Sequence, residues 1–494
     1  MYLNNKLLIG KNENNEANLL LNKANRHGLI TGASGSGKTV TLKVLGESFA
    51  DAGVPVLLID IKGDLGATSF QGEMNENIAK RVEKLKLENF TVKNYSTTFW
   101  DVYGTHGHPI RTTVTKIGSK LLSRMLNLTD AQEGILTIVF KIAEDEQKEL
   151  IDLKDLRAML TYVGDNRKEY TLKYGNINIQ SLTSIQRNLL ALEEDDGEYF
   201  FGKPDFDIRD FIRFDPSNGK ATINILHGET LFQKPTLYAT FVIWLLTTLY
   251  NTMPEVGDLD KPKLVFFIDE AHLLFNEIPD HLLKQIIQIV KLIRSKGIGL
   301  YFISQSPSDI PDDILSQLGN RIQHVLRSYT PKEDKAIKAA AESYRANPAF
   351  DTEETIKTLA TGEALISFQN ENGEPTIVDK FTILPPQSKM GPITDSERTS
   401  LIQNSSLYMK YENKVDDVSA FEKINEHNEK LAEEQKQIEE QKAKEKEEKE
   451  KAKEEKEAKK KKSGLEKMGS RLANKTIDRI GRKIGDAIFK GLFK

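Results

Sequence analysis

The chain contains no cysteine among its 494 residues. That excludes a disulfide framework, a thiolate zinc site and a cysteine nucleophile, and it suits a reducing compartment. Long apolar runs are missing too. The longest, Leu237 to Tyr250, is interrupted by threonines and falls short of the about 20 residues that span a bilayer, so it reads as a buried helix. At the N-terminus, Leu7-Leu8-Ile9 gives way at once to Gly10-Lys11-Asn12-Glu13, so no signal core is present. These absences predict a cytoplasmic protein. The net charge of −4 hides strong regional segregation and selects no class of partner. The length allows two or three domains, or one enlarged domain with appendages.

What is present is a phosphate-binding motif. Gly32-Ala33-Ser34-Gly35-Ser36-Gly37-Lys38-Thr39 satisfies G-x-x-x-x-G-K-[ST] at every fixed position. Gly28 to Thr31 before it suit a short buried strand, and Val40 to Phe49 after it carry helical apolar spacing. In this context glycines let backbone N–H groups close around a polyphosphate, and the helix start adds its positive dipole end. Lys38 would reach the β- and γ-phosphates and the Thr39 hydroxyl would hold Mg²⁺, so ATP and Mg²⁺ are the expected ligands.

The rest of the chain reads as a RecA-like P-loop ATPase core of the α/β class, with a mostly parallel sheet, a helical insertion and a charged helical tail. Residues 1–69 form its first part, with a short strand at Lys6–Ile9, the P-loop, and a buried strand Val54–Ile59 ending in the polar tip Asp60-Ile61-Lys62-Gly63-Asp64. Residues 70–215 read as the insertion, where Asp130 with Glu133 suggests a helix cap. The α/β rhythm resumes over 216–390. A strand at Ala221–Leu226 and the buried helix precede Leu264–Ile268, helix Leu282–Ser295 and strand Ile298–Ile303; further strands are expected at Arg321–Leu326, Ala364–Phe368 and Thr376–Phe381. Residues 391–427 suit a helical extension. The Lys/Glu-rich stretch 428–462 suits a long solvated helix or a disordered linker, and 463–494 a basic amphipathic helix.

Leu264 to Glu270 is a second strong motif. A hydrophobic strand delivers Asp269 and Glu270 to its C-terminal end, where open α/β sheets bind ligands. Asp269 would fix Mg²⁺ and Glu270 would activate the attacking water. The string Asp269-Glu270-Ala271-His272 invites comparison with two-domain helicases, but the long gap from the P-loop and the missing second RecA-like domain argue against it. His272 reads as a helix-start residue. Gln305, after Ser304, is placed to contact the γ-phosphate or the water. Positive charge in the transition state would come from Arg294, with Arg321 as its competitor.

Several blocks carry a resemblance beyond these motifs. They include Arg26-His27-Gly28, Asp60-Ile61-Lys62-Gly63-Asp64, Phe99-Trp100-Asp101-Val102-Tyr103, Arg294-Ser295-Lys296-Gly297 and Gln317-Leu318-Gly319-Asn320-Arg321. On these, residues 1 to about 411 resemble the HerA-like bacterial ATPases of the YjgR type, in the HerA/FtsK superfamily. The resemblance implies a hexameric ring that moves DNA. It implies Lys38 and Thr39 as the Walker A pair, Asp269 as the Mg²⁺ ligand, Glu270 as the catalytic glutamate, Gln305 as the sensor and Arg294 as an arginine reaching across subunits. Two departures stand out: residues 1–27 leave no room for the β-barrel of archaeal HerA, and FtsK does not share the insertion. The alternative is a regulatory ATPase acting on a protein substrate, tethered to a membrane or a partner through residues 463–494.

Overall fold

The computed structural model describes residues 1–489 apart from 195, 258, 276–279 and 416, with side chains described except at 236, 281 and 462–489. It divides into two units, residues 1–421 and 422–494.

One large sheet organises the first unit. At its centre the P-loop strand Gly28–Thr31 lies between Asn320–Gln323 and Ile298–Ser304; Leu264–Ile268, Val56–Asp60, Ile223–His227 and Thr97–Asp101 follow outward, all parallel. Continuous apolar strands such as Leu264–Ile268 and Ile298–Ser304 are buried at every residue, as a sheet covered on both faces requires. The other side is antiparallel: Glu363–Ser367, Asp379–Ile383, and the hairpin Lys6–Lys11 with Glu16–Leu20. Leu7, Ile9 and Leu19 of that hairpin join the core that holds Leu45 and Phe49 of the helix Lys38–Asp51.

Three sequence expectations are refined here. Residues 1–27 hold a paired hairpin where one short strand was expected, because the polar Asn12 to Asn15 turn hides the return strand. The stretch 70–215 is helical from Val114 to Glu194, yet before that it supplies Thr97–Asp101 to the sheet beside Ile223–His227. The helix expected to start on Asp130 is capped one residue earlier: the Thr129 N–H donates to the Gln132 side chain at 2.9 Å, and Asp130 is the first helical residue. Thr129 is extended, as an N-cap must be.

In the second unit the chain is one helix, part of Ala420–Phe489. Ion pairs four residues apart, such as Glu426–Lys430 and Glu447–Lys451, run along its exposed surface. The amphipathic face expected over 463–494 lies outside the residues whose side chains are described.

Candidate active site

The sheet order places every nucleotide motif at one edge. Thr31 pairs in register with Ser304, and Phe302 with Ile268, so the P-loop, Gln305 and Asp269-Glu270 leave three adjacent strands at the same end. The C-terminal ends of parallel strands meet there, the ligand edge of open α/β sheets.

The P-loop is shaped by what lies behind it. Gly32 has φ +155, and a Cβ there would come within 2.5 Å of the His324 side chain, so a side chain is excluded. Gly37, at φ +110, caps the helix in a left-handed conformation. His324 is buried, with Nε2 2.9 Å from the Thr41 hydroxyl and Nδ1 2.9 Å from the Glu363 carbonyl. Burial lowers its pKa to about 4, so it backs the loop as a neutral ring. The Ala33 N–H donates to Val325 O at 2.8 Å and the Gly362 N–H to Ser36 O at 3.1 Å, tying the loop to its surroundings. Ser34 and Gly35 stand exposed at the loop tip. Lys38 Nζ donates to the Gly32 and Ala33 carbonyls at 2.6 and 3.2 Å, and burial lowers its pKa.

Opposite lie the acids. Asp269 is buried and accepts the Glu270 N–H at 2.8 Å. Burial, then the charge of Glu270, raises its pKa from 3.8 to about 6. Glu270 has φ +45, a left-handed backbone rare for a residue with a side chain, and such strain gathers at working sites. Its Oε1 lies 3.0 Å from Lys62 Nζ. Burial would raise the Glu270 pKa, but the bond to Lys62 and the charges of Lys62, His272 and Lys38 outweigh it and keep the group below its ordinary value.

These residues fit a nucleotide with Mg²⁺. The hydroxyl of Ser36 and Oε2 of Glu270 are buried without a hydrogen-bond partner. Two adjacent carboxylates, one of them held above its normal pKa by burial, form a donor set that a divalent cation would neutralise. Thr39, half-buried in the first turn of the helix Lys38–Asp51, supplies a hydroxyl ligand from the P-loop.

Gln305 emerges beside this group and is exposed. The loop beyond it is braced by Asp309, which accepts the Ser304 hydroxyl at 2.6 Å and the Ser306 N–H at 2.9 Å. Arg294 does not join them. It precedes the strand Ile298–Ser304, whose 7 residues span about 20 Å, so it sits at the opposite edge of the sheet. There it lines a cleft of about 360 Å³ with Arg26 and with Lys291, whose ammonium pairs with Asp313 at 3.0 Å. Arg321, its competitor, is committed to structure, with Nε and Nη2 each 3.0 Å from the Leu318 and Leu315 carbonyls. Lys62, Asp64, His324 and the buried Tyr238, whose hydroxyl lacks a partner and whose pKa is raised by burial and then by Asp269 and Glu270, were not singled out from the sequence. Their roles arise from neighbouring strands and a covering helix, which one sequence does not display.

The raised pKa of Asp269 has a measurable consequence. A carboxyl whose folded pKa exceeds its unfolded value stabilises the fold below the unfolded value and loses that contribution as pH rises through the folded one. For Asp269 the window runs from 3.8 to about 6. Above it the metal-free protein carries a poorly compensated buried charge worth up to about 3 kcal/mol. Asp269→Asn is therefore expected to melt at a higher temperature than the wild type at pH 8 without Mg²⁺, with the gap closing toward pH 4. Equal melting at pH 8 would show that the charge is already compensated.

A parallel sheet of this order, with one strand between the P-loop strand and the strand that ends in Asp-Glu, defines a RecA-like P-loop ATPase. Its cofactors are ATP and Mg²⁺. The family model described as Helicase HerA-like C-terminal matches residues 5–494, and the chain belongs to that family. Among curated relatives it is similar to the DNA double-strand break repair helicase HerA of Sulfurisphaera tokodaii, 27% identical over 392 residues, covering 74% of this chain and 67% of the relative. The HerA of Sulfolobus acidocaldarius is 25% identical, covering 76% and 68%. Among solved structures, VirB4 of Thermoanaerobacter pseudethanolicus aligns at a TM-score of 0.48 and 17% identity, covering 78% of this chain and 98% of that one. Among the described residues, no helix is long and apolar enough to cross a membrane.

Proposed function

We propose that this ATPase is a DNA translocase that works as a homo-oligomeric ring of HerA type, hexameric, with each site completed by a neighbour. The observation that carries the reading is the position of Arg294. It is exposed in a cleft at the sheet edge opposite the P-loop, out of reach of its own site, and in the proposed head-to-tail ring that edge would face the P-loop edge of the next copy. The names of the relatives support DNA as substrate.

In this reading the P-loop amides and Lys38 bind the triphosphate, and Thr39 and Asp269 would hold Mg²⁺, which would neutralise phosphate charge. Water oxygen attacks the γ-phosphorus, its proton passes to Glu270, and the bond to the ADP oxygen breaks with its electron pair leaving on ADP. Gln305 orients the water, and Arg294 of the adjacent copy stabilises the developing charge.

The test is ATPase activity of the full-length protein with single- and double-stranded DNA across a salt series, with native mass measured in parallel. Expected are a ring mass and DNA stimulation whose apparent DNA affinity falls by orders of magnitude between about 50 and 200 mM salt. Hydrolysis indifferent to every DNA form at low salt would overturn the substrate, and a monomer with ATP would overturn the ring.

A further inference from the structure

The loop after the strand Val56–Asp60 touches both nucleotide motifs. It is knotted on the buried Asp60, whose carboxylate accepts the Leu65 N–H at 3.0 Å. From this knot two side chains reach out. Asp64 lies beside Thr39, and Lys62 Nζ lies 3.0 Å from Glu270 Oε1. The other oxygen, Oε2, is buried without a hydrogen-bond partner, and His272 Nδ1, 3.4 Å away, likewise makes no hydrogen bond.

This asymmetry is what a proton acceptor requires. A glutamate has three rotatable side-chain bonds, and an unanchored carboxylate samples many orientations; fixing one oxygen leaves the other a defined lone pair. The pair is poorly explained as a brace for the fold. Lys62 is 46% exposed against 11% for Glu270, and ion pairs with one partner in solvent contribute little to stability. Both residues also sit at strand ends on the ligand edge. We propose that Lys62 is a positioning residue for hydrolysis: its ammonium pins Oε1 of Glu270 and leaves Oε2 to take the proton of the attacking water. The role rests on Glu270 being the base.

The experiment compares steady-state hydrolysis by full-length wild type, Lys62→Ala, Lys62→Arg, Glu270→Gln and the Lys62→Ala/Glu270→Gln double variant, with binding of a fluorescent ADP as the control for folding. Where Lys62→Ala binds no ADP, Lys62→Met, which keeps the stem, replaces it. Lys62→Ala is expected to lower kcat by about 10- to 100-fold with KM little changed. Lys62→Arg should recover most of the loss, because a guanidinium also donates to Oε1. In the Glu270→Gln background the Lys62 change should add nothing, as for residues acting as one unit. A raised KM with kcat kept would make Lys62 a phosphate ligand, and a raised kcat would make it a restraint; either overturns the proposal, as does an unchanged kcat. Failure is separable from that of the underlying reading. Loss in Glu270→Gln with a normal Lys62→Ala removes the positioning role alone. Full activity in Glu270→Gln removes the base and the positioning role together.

Discussion

Glu270→Gln binds ATP about as well as the wild type and hydrolyses it about 10³-fold more slowly, the size expected for loss of a general base. The substitution keeps the shape of the side chain and a carbonyl that accepts from Lys62, so the 3.0 Å contact survives in form. It removes the one property that matters, an oxygen able to take a proton. Binding should hold because the P-loop amides, Lys38 and Asp269 are untouched, and Asp269 still accepts the backbone N–H of residue 270 at its own oxygen. The strained φ of +45 belongs to the backbone and is shared by both proteins. Single-turnover hydrolysis with equilibrium nucleotide binding checks both halves. A variant that hydrolyses at the wild-type rate would place the base elsewhere, and one that no longer binds ATP would make Glu270 a ligand.

The parts of this site that could be read from the sequence are those whose chemistry is local. The P-loop is a contiguous string because one short backbone segment must wrap a phosphate. Asp269 and Glu270 are legible because an apolar strand announces the edge at which they emerge. Strand positions followed for the same reason, with ends displaced by two or three residues: Thr376–Phe381 was expected where Asp379–Ile383 pairs, and Arg321–Leu326 where Asn320–Gln323 does. What escaped is set by distant pairing. Thr97–Asp101 begins with two threonines and lies within a helix-rich stretch, yet it is buried because Ile223–His227 pairs with it. Lys62 looked like any polar residue at a strand tip until the neighbouring strands Val56–Asp60 and Leu264–Ile268 brought it to Glu270. The choice between Arg294 and Arg321 is a similar case. Sequence offers two arginines near strand starts, and hydrogen bonds to the Leu315 and Leu318 carbonyls occupy only the second.

Lys38→Ala and Arg294→Ala are each expected to be almost without ATPase activity, and a mixture of the two is expected to recover. Lys38→Ala loses the ammonium that now rests on the Gly32 and Ala33 carbonyls and would turn to the phosphates, so ATP binding itself fails. Arg294→Ala keeps an intact P-loop and should bind ATP, but it withholds from its neighbour a charge worth about 10³ in kcat. The two lesions lie at opposite edges of one sheet, about 20 Å apart along a strand, so within a single chain neither can mend the other. Across a head-to-tail contact they can. A P-loop from an Arg294→Ala copy facing the cleft of a Lys38→Ala copy has both halves, and random mixing in equal amounts makes about a quarter of contacts complete. The mixture, assembled by co-refolding or subunit exchange, should therefore regain up to about a quarter of the wild-type rate per site if sites fire independently, and less if they must fire in sequence. No recovery in rings shown by native mass to contain both variants would mean that Arg294 does not act across subunits, and the cleft beside Arg26 and Lys291 would then serve some other anion.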